Sequence, residues 1–210
     1  MLMPASITLS HLTFALPDGR VLFSDLDFSF NQERTGLVGQ NGVGKSTLFR
    51  LITGEAAPAA GTVSVTGRIG VLRQVLAPSP DETLADLFGI AGALACLSRI
   101  EAGEGSEADF GAADWTLDAR LAEALARAGL DAAPGTPLSA LSGGQRTRAA
   151  LAALIFDAPD FLLLDEPTNN LDRDGRRAVA QMLAEWKGGA LVVSHDRKLL
   201  EGMDAIVELT

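Results

Sequence analysis

The stretch Gly39-Gln-Asn-Gly-Val-Gly-Lys-Ser-Thr47 decides the fold. The apolar segment Thr35–Val38 precedes it and predicts a β-strand, whereas apolar residues at helical spacing follow it as far as Thr53. Between a strand and a helix, such a glycine loop turns backbone N–H groups and a positive helix end toward a phosphate chain. The pattern predicts a P-loop for a nucleoside triphosphate, with its lysine at the outer phosphates and its serine on Mg²⁺. The predicted binding residues are Gly39, Asn41, Gly42, Gly44, Lys45, Ser46 and Thr47.

A pair of carboxylates follows a buried strand later in the chain. Phe161–Leu164 is wholly apolar and ends in Asp165 and Glu166, a Walker B pattern. Two acidic residues after a strand can also be helix caps, because Asp commonly supplies one. Downstream of a P-loop, however, Asp165 is predicted to share the Mg²⁺ with Ser46. Glu166 is predicted to hold and deprotonate the attacking water.

Two further polar residues end strands. Gln74 follows Ile69–Leu72, and its amide could contact the Mg²⁺ or the attacking water. His195 follows Ala190–Val193 and could donate a hydrogen bond to the γ-phosphate. The predicted catalytic residues are therefore Glu166, His195 and Gln74, and the predicted metal ligands are Ser46, Gln74 and Asp165.

Strands and helices alternate along most of the chain, which predicts an α/β fold with a mainly parallel sheet and the site at the carboxyl ends of its strands. Residues 6–30 instead show period-2 alternation around a turn at Pro17–Gly19, which predicts an N-terminal antiparallel β portion. Residues about 75–140 predict a helical insert within a core of residues 1–74 and 141–210, in one domain. Within the insert we expect a helix over 83–100 weakened at Gly89 and Gly92, a loop or frayed turn over 101–114 and a helix over 115–129.

The composition limits the classes of protein to which this chain can belong. With 210 residues, 47% of them hydrophobic, the chain is long enough for one folded domain. Its longest uncharged apolar run, Leu87–Leu97, is well short of the ~20 residues of a membrane helix, and Cys96 within it is expected to be a buried thiol. The net charge is −10, and residues 81–123 hold ten acidic residues against two arginines. Such a surface repels phosphate backbones, so we expect no strong binding of nucleic acid by the chain itself.

A third motif, Leu141-Ser-Gly-Gly-Gln145, completes a set. With the P-loop, Gln74, the Walker B strand and His195, in this order and spacing, it resembles the nucleotide-binding domain of the ATP-binding cassette (ABC) superfamily over nearly the whole chain. The resemblance implies a RecA-like P-loop NTPase core with a helical ABC subdomain, and an ATPase that uses Mg²⁺. It also implies that the signature residues act in trans, on an ATP held by the P-loop of a second cassette. Those residues are Ser142, Gly143, Gly144 and Gln145.

Two stretches resemble a particular class. Glu166-Pro-Thr-Asn-Asn-Leu-Asp172 and the closing residues 192–209 resemble the ABC-F proteins, soluble tandem-cassette ATPases that work on ribosomes. The chain is similar to the first cassette of such a protein. The resemblance implies a cytoplasmic, translation-associated ATPase whose partner is a second cassette, either the missing half of the same protein or a second copy. A ribosome would be contacted through segments outside this sequence, and no direct membrane insertion is expected.

Two alternatives stay open. The chain could be the ATP-binding subunit of an ABC membrane transporter, although the ABC-F-like stretches disfavour this. It could instead be a module that holds ATP without turnover, although an intact Glu166 argues against it. Cassette proteins often place an aromatic residue on adenine where Leu16 stands here, and strand alternation predicts that Phe14 faces the other side. The sequence therefore leaves open which residue contacts the adenine base.

Overall fold

A computed structural model of the chain describes residues 4–72, 79 and 81–210. Its contacts divide the chain into two compact units. The first contains the described residues up to Leu72, together with Pro159–Asn169 and Glu185–Thr210. The second contains residues 79 and 81–158, together with Asn170–Ala184. The predicted site residue Gln74 lies outside the described residues.

The first unit contains two β-sheets and two helices. Its helices are α1 (Lys45–Ile52) and α8 (Arg197–Leu200). Its strands are β1 (Ser6–Ala15), β2 (Val21–Phe30), β3 (Arg34–Gly39), β4 (Ala60–Thr66), β5 (Ile69–Leu72), β6 (Phe161–Asp165), β7 (Gly189–Val193) and β8 (Ala205–Leu209).

Five strands form a parallel sheet in the order β5-β6-β7-β3-β8, and three form an antiparallel sheet in the order β2-β1-β4. The predicted α/β class, with a mainly parallel sheet and an antiparallel N-terminal portion, is confirmed. Residues of β7 and the first four of β6 are buried, which is why both strands read as continuous apolar runs. Because parallel strands end at one edge, β3, β6 and β7 bring the P-loop, Asp165 and His195 to the same edge.

Helix α1 shares one hydrophobic core with both sheets. Its residues Leu48 and Phe49 are buried against Phe23 of the antiparallel sheet and against Leu163 and Leu191 of the parallel sheet, within a single cluster. Burial of each such side chain contributes roughly 1.5–3 kcal/mol. The same core therefore fixes the start of α1, where the P-loop ends.

The hairpin of β1 and β2 turns at Pro17–Gly19, as predicted. Where its register shifts, His11 lies beside Asp25 and Asp27, and its Nδ1 is 2.8 Å from Asp25 Oδ1. The hydrogen bond with Asp25 raises the pKa of the His11 imidazole above its ordinary value. Sequence spacing gave no sign of this group, because only strand pairing brings its members together.

The second unit is helical. It consists of a 3₁₀ turn at Leu138–Ala140 and the helices α2 (Leu84–Leu87), α3 (Ala91–Glu101), α4 (Glu107–Ala112), α5 (Leu117–Arg127), α6 (Gly143–Phe156) and α7 (Arg173–Glu185). Helix α5 packs on α6 with Leu121 and Leu125 buried. The Arg120 guanidinium lies 4.6 Å from the centre of the Phe156 ring, and such cation–π contacts stabilise by ~0.5–1 kcal/mol at exposed sites. Within the described part of the chain, each helix is too short or too polar to cross a membrane.

The single helix predicted over 83–100 is wrong. Gly89 adopts a φ of 67° and separates α2 from α3. The N–H of Gly89 donates to Asp86 O and the N–H of Ile90 to Ala85 O, bonds that close the end of α2. Gly92, the second expected weak point, lies within α3. The expected buried thiol is confirmed, since Cys96 is buried on α3.

The loop or frayed turn predicted over 101–114 is also wrong, because this segment contains α4. Ser106 accepts a hydrogen bond from the Asp109 N–H, and the Asp109 carboxylate accepts one from the Ser106 N–H at 2.9 Å. This reciprocal pair is a capping box, which satisfies two backbone donors of the first turn. Helix α4 buries none of its residues, so its sequence carries no hydrophobic periodicity from which a helix could be predicted.

Candidate active site

The P-loop joins β3 to α1 through Gly39, Gly42 and Gly44, all at positive φ. Gly44 is the N-cap of α1, where φ is 116° and an added Cβ would lie 2.8 Å from Cζ of Phe23. Glycine is the residue that tolerates both conditions. Gly44 has no side chain with which to cap this end of α1. The N–H groups of the first turn are thus left for another acceptor, which is the requirement of an anion site.

Lys45 begins α1 and is only 8% exposed. Its Nζ donates to the carbonyl oxygens of Gly39 at 2.7 Å and of Gln40 at 3.0 Å. Carbonyl oxygens satisfy hydrogen bonds of the ammonium group but do not neutralise its charge. The side chain is therefore a buried cation held over its own loop, which favours an anionic ligand there.

Ser46 and Asp165 meet, as the sequence predicts. The Ser46 Oγ donates to Asp165 Oδ2 at 3.0 Å. Asp165 is the last residue of β6 and pairs with Val193 at the end of β7. Two inner strands therefore hold it at the carboxyl end of the sheet. Neighbouring ligands in a Mg²⁺ octahedron are about 2.9 Å apart when each lies ~2.05 Å from the metal. The two oxygens fit adjacent positions around Mg²⁺.

Glu166 and His195 form a second pair. The Glu166 Oε1 lies 3.4 Å from Nε2 of His195, and the glutamate side chain is 18% exposed against 58% for the histidine. Glu166 has a φ of 48°, a left-handed conformation that is uncommon for a residue with a side chain. Its N–H donates to Val193 O at 2.9 Å, which ties this conformation to the end of β7. Such strain is stored where the surrounding structure fixes it, and it is common at functional sites.

These groups line one cavity of about 360 Å³. A volume of roughly 300–1,000 Å³ is usual for small-molecule sites. The predicted residues that line it are Asn41, Gly42, Gly44, Lys45, Ser46, Thr47, Asp165, Glu166 and His195. Gly39 contributes the carbonyl group that accepts from Lys45. All these residues belong to the first unit.

The cavity also has a wall that the motifs did not predict. Leu16, Arg20 and Leu22, which flank the β1–β2 turn, line it, as does Val193. Sequence analysis singled out Leu16 but neither Arg20 nor Leu22. The available signal was the proximity of both to Leu16 across a short turn, which brings residues on either side of it together.

The signature stretch lies in the second unit and caps α6. The Ser142 Oγ accepts from the Gln145 N–H at 3.2 Å, and the Gln145 Oε1 accepts from the Ser142 N–H at 2.8 Å. A Cβ added to Gly143 would meet no atom within 4 Å, whereas one on Gly144 would lie 3.2 Å from Leu171. The capping box thus orders the helix start while Ser142 and Gly143 stay exposed.

Comparison with known families decides the identification. A family model described as ABC transporter matches residues 23–169, well over half of the chain. The chain belongs to the ABC transporter family. The family predicted from the three motifs is confirmed. ABC domains are ATPases that bind ATP and dimerise, and ABC ATPases generally use Mg²⁺ with ATP.

Curated relatives of this ABC domain include a protein named for the F family and proteins named for antibiotic resistance and for translation. The tylosin resistance ATP-binding protein TlrC of Streptomyces fradiae is 38% identical, over 90% of this chain and 40% of the relative. The ABC transporter F family member 3 of Arabidopsis thaliana is 34% identical, over 95% of this chain and 26% of the relative. The energy-dependent translational throttle protein EttA of Mycobacterium tuberculosis is 33% identical, over 90% of this chain and 38% of the relative. The chain spans less than half the length of these relatives.

Solved structures share the fold of this ABC domain. One described as the ATP binding subunit of an ABC transporter matches with a TM-score of 0.77 and 20% identity, over 97% of this chain and 85% of that chain. At this identity the similarity concerns the fold alone, and it confirms the P-loop NTPase architecture.

Proposed function

We propose that this ABC domain binds Mg·ATP in the cavity of its first unit and hydrolyses it to ADP and phosphate, as one cassette of an ABC-F-type protein. The observation that carries the proposal is that the cavity is lined by Lys45, by the Ser46–Asp165 pair and by the Glu166–His195 pair. We also propose that residues 1–210 form a single ABC ATPase domain, with residues about 75–140 as its helical subdomain.

The P-loop holds the phosphate chain. Its glycine-rich backbone and the uncapped start of α1 supply N–H donors. Asn41, Gly42, Gly44 and Thr47 line the same part of the cavity. Lys45 exchanges its two carbonyl acceptors for phosphate oxygens, which bring the negative charge that the carbonyl groups lack.

Ser46 and Asp165 hold the Mg²⁺, and Gln74 is proposed as a further ligand. Both described side chains offer oxygen atoms, the ligand type that Mg²⁺ prefers. When bound, the metal ion neutralises charge on the β- and γ-phosphates. Asp165 must be ionised to bind the metal, whereas Ser46 binds through its neutral hydroxyl group.

Glu166 acts as the general base. A water oxygen attacks the γ-phosphorus, the bond from that phosphorus to the β–γ bridging oxygen breaks, and the proton of the water passes to the Glu166 carboxylate. The Val193 carbonyl and the strained backbone fix the position of this carboxylate. His195 lies next to it and donates to a γ-phosphate oxygen, and Gln74 is proposed to position the water.

The signature residues act on the nucleotide of a second cassette. The exposed Ser142 and the N–H groups of Gly143 and Gly144 start a 14-residue helix, which gives an anion site for an incoming γ-phosphate. Gln145 orders this end of the helix through the capping box. The second cassette is either the other half of a longer protein or another copy of this chain.

The name of one relative, the ABC transporter F family member 3, and the Glu166–Asp172 stretch support the ABC-F class. The name of another, the energy-dependent translational throttle protein EttA, supports an association with translation. On that basis we propose a cytoplasmic ATPase associated with translation, whose ribosome contact lies in segments outside this sequence. The rival function, a subunit of a membrane transporter, is distinguished by pelleting the natural gene product, carrying Glu166→Gln, with ribosomes. Pelleting with ribosomes only when ATP is present supports the class. Pelleting with membranes that contain a partner transporter, and not with ribosomes, contradicts it.

Nucleotide binding tests the site itself. Lys45→Ala should abolish ATP binding, whereas Lys187→Ala, a matched change at an exposed lysine, should leave it unchanged. Asp165→Asn should remove the gain in affinity that Mg²⁺ gives the parent. If Lys45→Ala bound ATP with the affinity of the parent, the phosphates would have to lie away from Lys45.

A further inference from the structure

The proposed phosphate and metal sites do not use the wall that Leu16, Arg20 and Leu22 contribute to the cavity. The residues that serve those roles lie on the P-loop and at the ends of β6 and β7. Among the described residues that line the cavity, none is Phe, Tyr or Trp, and the imidazole of His195 lies beside Glu166. Phe14 packs against the hydrophobic core instead, and Phe23 is buried in it. The base of a nucleotide held by the P-loop therefore has no Phe, Tyr or Trp ring in this cavity to stack on.

The backbone around Arg20 is well fixed. The Leu16 N–H donates to Arg20 O at 2.8 Å, and the Gly19 N–H donates to Leu16 O at 2.9 Å. The Arg20 N–H donates to Asp18 Oδ1 at 3.0 Å. These bonds close the turn, so the position from which the Arg20 side chain starts is set before any ligand binds.

The guanidinium group of Arg20, by contrast, is unpaired within the part of the chain that the structure describes. It makes no hydrogen bond or ion pair with any residue that the structure describes. Other arginines of this acidic chain are paired, for example Arg34 with Asp204, Arg99 with Asp109 and Arg127 with Glu123. Arg20 is exposed and lines a nucleotide-sized cavity without a partner among the described residues, so its guanidinium donors are available for a ligand.

A guanidinium group can serve a nucleotide in two ways. It can attract the phosphates by charge, or it can stack its plane on the base. The cavity already supplies Lys45 and the P-loop amides for the phosphates. Beside Arg20, the apolar side chains of Leu16 and Leu22 suit a flat, largely apolar ring rather than an anion. The surroundings of Arg20 therefore favour stacking.

We propose that Arg20 stacks its guanidinium plane on the purine base of the bound nucleoside triphosphate, with Leu16 and Leu22 contacting the ring. This rests on the proposed binding of ATP in the same cavity. Stacking recognises the π-face that every base has, rather than the hydrogen-bonding groups at its edge. ATP and GTP should consequently bind with affinities within a few-fold of each other.

The test compares ligands with and without a base. Binding of Mg·ATP, Mg·GTP and inorganic triphosphate is measured by calorimetry for the parent and for Arg20→Ala. The variant should lose roughly 5- to 150-fold in affinity for both nucleotides, which corresponds to ~1–3 kcal/mol. Its affinity for inorganic triphosphate should match that of the parent. Arg177→Ala, at an exposed arginine of α7, is the matched control and should change nothing.

Two further variants separate the effect of the planar guanidinium group of Arg20 from the effect of its positive charge. Arg20→Lys keeps the positive charge but loses the flat guanidinium group, so it should lose most of the affinity that Arg20→Ala loses. Leu16→Tyr supplies a ring and should restore ATP affinity in the Arg20→Ala background, while changing it much less in the parent. Such a difference between backgrounds is the coupling expected of residues that cover the same base.

Three outcomes would overturn the proposal. Equal losses for ATP and for inorganic triphosphate would mean that Arg20 acts on the phosphates through its charge. Unchanged ATP affinity in Arg20→Ala, with the parent and Lys45→Ala behaving as expected, would remove Arg20 from the base site and leave the proposed function intact. Failure of the parent chain to bind either ATP or inorganic triphosphate would overturn both.

Discussion

Gly44→Ala perturbs the turn on which the phosphate site depends. Gly44 has a φ of 116°, and holding a residue with a Cβ in so unfavourable a conformation costs ~1–3 kcal/mol. The added Cβ would lie 2.8 Å from Cζ of Phe23, against about 3.4 Å for ordinary contact, so the ring must move by about 0.6 Å. Phe23 is only 5% exposed and lies in the core that α1 shares with both sheets. Overpacking of a core costs a further ~1–3 kcal/mol.

The expected loss of unfolding free energy is therefore ~2–6 kcal/mol, measured by urea unfolding. Gly42→Ala is the matched control in the same loop, because Gly42 has a φ of 82° but its added Cβ would meet no atom within 4 Å. It should cost only the conformational part, ~1–2 kcal/mol. Gly44→Ala should in addition lose ATP affinity, since relief of the clash displaces the start of α1. Equal destabilisation by the two variants would refute the argument from the Phe23 contact.

Three other predictions concern stability, the trans site and catalysis. Asp204→Asn should lower the free energy of unfolding by ~1 kcal/mol or less at pH 7, because the carboxylate is 43% exposed. In the parent, the hydrogen bond with Arg34 lowers the pKa of Asp204 to about 2. Because folding lowers this pKa, the stabilisation is present above about pH 4 and is lost toward pH 2, so the parent and the variant should converge over that range in urea unfolding. If the chain pairs with itself, a mixture of Lys45→Ala and Ser142→Arg chains should hydrolyse ATP faster than either alone, and turnover per parent molecule should rise with protein concentration; a monomeric parent with full, concentration-independent activity would contradict the trans site. His195→Ala should slow phosphate release by ~10²-fold or more while ATP still binds, and an unchanged rate would exclude it from the reaction.

Much of the candidate site could be predicted because its geometry is local or follows from sheet topology. Gly39 to Ser46 form a strand–loop–helix unit whose conformation is set by neighbours in sequence. The Ser46–Asp165 contact follows from the rule that parallel strands carry their functional residues at one edge. The same rule brings His195 to Glu166, and both contacts are present at 3.0 and 3.4 Å.

Other features depend on information that hydrophobic periodicity lacks. Helix α4 buries no side chain, so only the Ser106–Asp109 capping box could have indicated it. Gly89 and Gly92 looked equally weak, yet only Gly89 has a positive φ and ends a helix. Arg20 was missed because its place in the cavity depends on how the β1–β2 hairpin lies against the P-loop, a tertiary arrangement that no motif encodes.

The most direct test of the account is phosphate release from Mg·ATP by Glu166→Gln. The variant keeps the size of the side chain and loses its basicity, so the account predicts hydrolysis slowed by ~10²-fold or more, with ATP affinity close to that of the parent. Glu201→Gln, an equivalent change at an exposed glutamate, should hydrolyse ATP at the parent rate. All three chains are compared at the same high protein concentration, so that each has the same opportunity to pair with a second cassette. Hydrolysis by Glu166→Gln at the rate of the parent would contradict the assignment of Glu166 as the base.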